Sequence, residues 1–227
     1  MLKKFQFYSL LLVAVIALAP MSNAAPLPPG GNLTAPYTAS LPTDFGVVKA
    51  DTGVESFTGL NNMGGTQFTG KFRELVVVDT TTGNLDFIYQ VLSTGGPDNI
   101  GKITTINYQN VTIDAGTCPT CADLIGGVGV TDIDPMNIGR SGGVGSIVAF
   151  NYGDPNGILA PNDETSVLVL KTNVKTFGVG STSSIDGGTA NIFSYDPTPE
   201  PVSAGLLLGG LFGAGLFVAR KFQVKQG

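Results

Sequence analysis

Short apolar runs recur along the middle of the chain, each bounded by residues that favour turns. Residues 72–78 and 85–92 are rich in Val, Ile, Phe and Tyr, which suit the half-buried surface of a strand. The segment between them, Thr80-Thr81-Thr82-Gly83-Asn84, has the polar residues and glycine of a hairpin turn. In residues 85–92 the odd-numbered side chains would face one way and the even-numbered ones the other. This imperfect alternation predicts a strand that is buried mainly on one face.

The same pattern continues to residue 195 and predicts the fold class. Further strands are expected at residues 103–108, 111–113, 146–152, 165–172 and 189–195, whereas amphipathic helical periodicity is scarce. Many short strands with turn signals predict an all-β domain over residues 46–195, built as a single β-sandwich. The pattern suits an Ig-like or a jelly-roll-like arrangement and leaves the topology open. Residues 25–45, rich in Pro and Thr, are expected to be a loose lead-in.

The N-terminus has the pattern of an export signal. Lys3 and Lys4 precede an apolar run at residues 10–19, and small residues stand before the junction of Ala24 and Ala25. A positive start, a short apolar core and a small-residue cleavage site define a secretory signal peptide. We therefore predict a signal peptide over residues 1–24, cleaved between Ala24 and Ala25.

A second, longer apolar run fills residues 202–219. It contains no charged residue, and as a helix it would span about 27 Å, close to the hydrocarbon thickness of a bilayer. Arg220 and Lys221 follow at once and fit stop-transfer residues on the cytoplasmic side. The sequence predicts a transmembrane helix at residues 202–219 and a basic tail at residues 220–227.

The tripeptide Pro199-Glu200-Pro201 stands directly before this helix. Tripeptide, helix and basic end, over residues 196–227, resemble the PEP-CTERM sorting signal of Gram-negative bacteria. The resemblance implies that an exosortase, a membrane-embedded cysteine transpeptidase-like enzyme, recognises the tripeptide and cleaves near it. It also implies transient residence in the inner membrane, followed by the cell surface or extracellular matrix. Two prolines keep Glu200 extended, as a peptide entering a protease-like cleft must be.

Two other anchors share part of this C-terminal pattern. A plain single-pass anchor would use every feature except the tripeptide. A GPI signal also ends in an apolar run, but the cationic residues after the helix do not fit it.

The exported part of the chain is strongly acidic. Residues 25–201 hold all 17 Asp and Glu side chains but only seven Lys and Arg. Phosphate groups would be repelled by such a surface, so neither nucleic acid nor anionic lipid is an expected partner. The membrane is expected as a partner through the C-terminal helix.

The residue types present give catalysis little support. No His occurs, which removes Ser-His-Asp and Cys-His arrangements. Asp132 and Asp134 would point to the same side of an extended segment, as paired carboxylates of a hydrolase or as calcium ligands. Asp154 and Asp163 are further oxygen ligands in glycine-rich loops, but the EF-hand spacing is absent. We expect solvated acids, no enzyme and no cofactor, with Asp132 and Asp134 as the calcium candidates.

Two cysteines, Cys118 and Cys121, form the chain's one CxxC motif. In an exported protein this spacing favours a structural loop disulfide. Thiol–disulfide activity and unpaired thiols remain open, although the strand-then-helix context of a thioredoxin-type motif is missing.

Together these observations predict a non-enzymatic exported protein, sorted by an exosortase-type system. We expect it to be a structural or adhesive component of the exopolysaccharide or biofilm matrix. The first alternative is a carbohydrate- or calcium-binding surface module, and the second is a secreted carboxylate-dependent hydrolase. Trp is absent, so tyrosines would have to form any sugar-stacking surface, the candidates being Tyr37, Tyr89, Tyr108, Tyr152 and Tyr195.

Overall fold

A computed structural model describes residues 25–35, 46–118, 121–127, 131–153, 158–186 and 188–198. These residues form fifteen strands and no helix. The prediction that the body of the protein is all-β is therefore confirmed. The signal peptide, the tripeptide and the apolar run at residues 202–219 lie outside the described residues. Within them, no helix has the length and hydropathy needed to cross a membrane.

The strands follow one another along the chain with short connections. They are β1 (Ala25–Pro26), β2 (Asn32–Thr34), β3 (Val47–Asp51), β4 (Glu55–Leu60), β5 (Thr66–Val78), β6 (Leu85–Gly95), β7 (Lys102–Thr105), β8 (Ile113–Cys118), β9 (Thr131–Ile133), β10 (Asn137–Arg140), β11 (Val148–Asn151), β12 (Asp163–Thr165), β13 (Val167–Thr172), β14 (Phe177–Asp186) and β15 (Gly188–Pro197).

All the strands belong to one sheet that nearly closes on itself. Neighbouring strands run in the order β1-β8-β13-β6-β5-β4-β15-β14-β7-β11-β10-β2. Strand β3 pairs with the far end of β5, and β12 branches from β6 to pair with β9. The two ends of this path, β1 and β2, are separated along the chain only by residues 27–31. The first strands of the body therefore bring opposite edges of the sheet together.

Residues 27–31 are hydrogen-bonded to both edges that they join. Leu27 N donates to Ile113 O at 2.8 Å, on the β8 side. On the β10 side, Gly31 O accepts from Arg140 N at 2.9 Å. The sequence predicts a loose lead-in at residues 25–45, but residues 25–35 instead close the sheet, and residues 36–45 lie outside the described residues. The reason is that the open edges of β8 and β10 offer backbone partners that proline and threonine content does not reveal.

The Arg140 guanidinium fixes this closure from inside. The residue is only 6% exposed, and its side chain donates to the carbonyls of Gly145, Leu27, Tyr108 and Val111 at 2.7–3.0 Å. These carbonyls belong to three separate parts of the chain. Burial lowers the pKa of Arg140 from its ordinary value, yet a guanidinium keeps its charge and so requires these acceptors.

Aromatic side chains from several strands fill the space inside the sheet. Phe57 and Gly70 are register partners, as are Gly59 and Phe68. A Cβ on Gly59 would lie 2.2 Å from the Phe68 ring, and one on Gly70 would lie 2.3 Å from Phe57. Each ring therefore lies over the glycine opposite it, and the two rings pack edge to face with centroids 6.3 Å apart. These glycines are required by close packing.

Strand β6 is buried on both faces. Its odd-numbered residues, such as Phe87 and Tyr89, join the inner core. The even-numbered Ile88 packs on the outer face in a second cluster with Leu124 and Val169. The alternation read from the sequence is therefore present, but the expectation of one buried face is wrong because the loop after β8 also supplies outer-face partners.

We predict that Arg140→Met destabilises the domain by about 3–5 kcal/mol, because several buried carbonyls lose their donor together. Lys49→Met removes one positive charge from an exposed position on β3 and should change stability by less than about 0.5 kcal/mol. Chemical unfolding of the two variants beside the wild type measures both effects. Equal stability of the Arg140 variant and the wild type would show that the closure does not depend on the guanidinium.

Candidate functional site

One of the residues predicted to direct export and sorting lies within the described part of the chain. Ala25 begins β1 and pairs with Ala115 of β8. The others lie outside the described residues: Ala24, Pro199, Glu200, Pro201, Arg220 and Lys221. Asp154 lies outside them as well.

Cys118 and Cys121 are joined by a disulfide at the end of β8, with their Cα atoms 5.4 Å apart. Cys118 is buried in the outer cluster on the sheet. The bond therefore ties the beginning of the segment at residues 121–127 to the outer face of β8 and β13.

The segment at residues 121–127 is held by side chains from β5 and β6. Gln90 Oε1 accepts from Leu124 N at 2.6 Å, and Arg73 donates from its guanidinium to Leu124 O, also at 2.6 Å. Arg73 forms a half-exposed ion pair with Asp51 at 2.7 Å. Both backbone groups of Leu124 are thus fixed by polar side chains that the sequence places in the middle of apolar strands.

Asp123 is oriented by a turn within this segment. Its Oδ1 accepts from the backbone nitrogens of Ile125 and Gly126, each at 2.9 Å. A carboxylate that caps a turn in this way has one oxygen occupied and the other free for a neighbour.

That neighbour is Glu164 of β12. Its residue is 0% exposed, and neither carboxyl oxygen has a conventional hydrogen-bond donor. β12 runs parallel to β9, which places Glu164 beside Asp132, while Asp123 contacts the same carboxyl group. The pKa of Glu164 rises to about 8, mainly because burial disfavours the charge, with Asp123 and Asp132 adding repulsion.

Asp132 belongs to this acidic cluster, which we define as Asp123, Asp132 and Glu164. Asp132 is exposed, and partial burial together with the charges of Asp123 and Asp134 raises its pKa. Asp134 lies at the rim. Asp163 is turned elsewhere, since its Oδ2 accepts from Ala160 N at 3.0 Å.

Sequence reasoning identified Asp132 and Asp134 but missed Asp123 and Glu164. The available signal was Glu164 itself, an acidic residue directly before the apolar strand β13. What could not be foreseen was the parallel pairing of β9 with β12, which joins segments about thirty residues apart in sequence.

The arrangement can hold a proton between two carboxyl groups. Carboxylates only accept hydrogen bonds, so contact between Glu164 and Asp123 requires that one of them be protonated or that a cation neutralise both. Among the described residues, however, no group of three or more His, Cys, Asp or Glu side chains is arranged to hold a metal ion. The cluster therefore places a buried carboxyl group with a raised pKa, that of Glu164, beside two exposed aspartates.

A second set of buried polar groups lies inside the sheet. Glu74 and Asp196 are both buried, and burial raises the pKa of each carboxyl group. Glu74 Oε2 accepts from Tyr195 N at 2.7 Å. The Tyr89 and Tyr108 hydroxyls are hydrogen-bonded to each other at 2.5 Å. This interior set places polar groups inside the core, and Asp196 is hydrogen-bonded there by the side chain of the exposed Asn107.

Comparison with known protein families, with curated proteins and with solved structures finds no match to the chain. Support for the candidate site therefore comes from the geometry and the charges of its own residues.

We predict that the stability of the domain falls as the pH rises from about 5 to about 8, and that Glu164→Gln weakens this fall. Glu164 binds a proton in the folded state above the pH at which the unfolded chain has lost it, so raising the pH favours unfolding. At pH 9 the variant should be more stable than the wild type by about 1–3 kcal/mol, because it removes a buried charge without donors.

Urea unfolding at pH 5, 7 and 9 measures this dependence. Glu55→Gln, at an exposed position on β4, is the matched control and should follow the wild type. A Glu164→Gln profile parallel to that of the wild type would contradict the assignment.

Proposed function

We propose that the chain is an exported, non-enzymatic surface protein whose body reaches the cell surface or extracellular matrix through exosortase-type sorting. In this proposal the body is a β-sandwich, residues 1–24 are a signal peptide, and residues 202–219 are a transmembrane helix. Its role is structural or adhesive within an exopolysaccharide matrix.

The packing of distant strands supports the sandwich. The rings of Tyr89 in β6 and Phe150 in β11 lie 6.4 Å apart, although five other strands separate β6 from β11 along the sheet. Two parts of one sheet therefore face each other across a shared core, as the two layers of a sandwich do.

Among the described residues, the positions of the first and last hydrogen bonds support the sorting proposal. Ala25 is paired in β1, directly after the predicted signal-peptide junction. At the other end, Thr198 N donates to Thr176 O at 3.0 Å, directly before the tripeptide. Cleavage at either predicted position would leave every strand of the body intact. The predicted processing points therefore flank the folded body without cutting into it.

The buried carboxyl groups support a non-enzymatic role. Glu164 has the raised pKa that a general acid would need, but its side chain has no exposed surface for a polymeric substrate. Asp132 and Asp134, the hydrolase candidates, lie at the edge of the same cluster and gain no base that a substrate could contact.

We predict that Glu200→Ala blocks processing in a bacterial host that carries an exosortase. The wild-type body should appear outside the membrane fraction in a shortened form, whereas the variant should remain at full length in the membrane. Immunoblotting of cell fractions with an antibody to the body measures this. Glu55→Ala, an exposed change within β4, is the control. Normal processing of the Glu200 variant would leave a plain membrane anchor as the better interpretation.

A calcium-binding surface module is the second candidate, favoured by the carboxyl contacts of Glu164. We expect calorimetric titration of residues 25–198 with calcium to give no saturable heat, because Glu164 has no exposed surface for a cation and its raised pKa favours the neutral carboxyl group. Saturable binding that Glu164→Gln and Asp123→Asn both abolish would establish the module instead. A glycan array on the same fragment tests the carbohydrate form of this candidate, and it too should be silent.

A further inference from the structure

Apolar side chains lie exposed on the outer face of the hairpin formed by β14 and β15. Val179 is 77% exposed and Phe193 is 44% exposed, while Phe177 and Tyr195 are partly exposed beside them. Val179 is the register partner of Tyr195. We call these four residues the hairpin patch.

The hairpin patch is a continuous apolar surface. The Tyr195 ring contacts Phe177 at a centroid distance of 5.4 Å and Phe193 at 5.3 Å. Phe177 and Tyr195 also pack against the inner core, so the patch is anchored to the rigid part of the sheet. A cluster of exposed aromatic rings on a solvent-facing surface indicates an interaction surface.

The patch lies where the body leaves toward the predicted membrane helix. Phe177 is the register partner of Pro197, and Thr198 is hydrogen-bonded to Thr176. The apolar run begins at residue 202, so the intervening chain spans at most about 14 Å when fully extended. The headgroup layer alone is about 5–8 Å thick on each side of a bilayer.

We propose that the hairpin patch rests on the surface of the bilayer that holds residues 202–219, with Phe193 and Val179 among the lipid headgroups. This inference depends on the proposed membrane insertion of that run. Aromatic rings favour the membrane interface, where one side is apolar and the other wet. The short tether supplies a high effective concentration, so a small apolar contact is enough to orient the body.

The ring geometry favours lipid over sugar as the occupant. The interplanar angles within the patch are 86° and 75°. Rings that meet edge to face present no common flat surface on which several sugar units of a polysaccharide could stack together. The acidic body would be repelled by anionic headgroups, so the lipid that fits is zwitterionic, with the exposed Lys175 next to the patch available to its phosphate.

The absence of Trp from the chain allows a direct test with the full-length protein in phosphatidylcholine vesicles. Phe193→Trp places a single fluorophore in the patch. Met63→Trp is the matched control, because Met63 is 91% exposed and lies in the turn between β4 and β5, beyond the pairing of Leu60 with Thr189 at the start of β15. With lipids brominated near the headgroup, we expect blue-shifted, quenched emission from the first variant and unquenched emission from the second.

Adding Val179→Asp to Phe193→Trp should restore the emission, since a charge would hold the patch off the bilayer. Resistance of the protein to carbonate extraction reports insertion of residues 202–219 separately. Inserted protein with equal emission from both tryptophan variants would overturn the patch proposal alone. Protein that is extracted by carbonate would overturn the proposed membrane helix. A Phe193→Trp signal that responds to polysaccharide and not to brominated lipid would assign the patch to a glycan.

Discussion

The fold depends on the buried guanidinium of Arg140, which joins three parts of the chain that are not paired with one another as strands. The Arg140 guanidinium donates to carbonyls up to 113 residues away, and each of those carbonyls lies outside the strands. A buried guanidinium cannot give up its charge, and buried carbonyls cannot remain unpaired, so each satisfies the other. Closure of the sheet therefore requires residues 27–31 in place, which makes the first residues of the body part of its core.

Buried carboxyl groups lie where the pairing of strands in the sheet is interrupted. β15 pairs with β4 at a single described position, Thr189 with Leu60, and farther along β15 the Glu74 carboxyl accepts the free Tyr195 N–H. Glu164 occupies the branch where β12 leaves the main path. Burial raises the pKa of both groups, and that of Asp86 to about 7. The stability of the domain is therefore tied to pH more closely than that of a domain with a uniformly apolar core.

The local elements of this fold could be read from the sequence, but the long-range contacts could not. Alternation in β6 and the turn after β5 follow from side-chain type, and both predict strands correctly. The predicted strand at residues 111–113 fails because Asn110 adopts a positive φ of 62° and the strand begins only at Ile113. The sequence does not distinguish Arg140 from the other cations of the body, since its partners are fixed by closure. The contact of Glu164 with Asp123 likewise depends on strand register, which single-sequence patterns leave undetermined.

A closed body and a short tether together suggest how processing could act as a release step. If residues 202–219 are inserted as proposed, Thr198 at the end of the body is held within about 14 Å of the bilayer. Even a weak apolar contact of the hairpin patch is then occupied, because its effective concentration is high. Cleavage near the tripeptide would remove the tether without touching β15, whose last residues are fixed by Thr176 and Thr198. Without the tether, the effective concentration of the patch at the bilayer falls, and the weak contact dissociates. In this mechanism the hairpin patch orients the body on the bilayer before cleavage. Cleavage of the tether then also releases the patch from the bilayer.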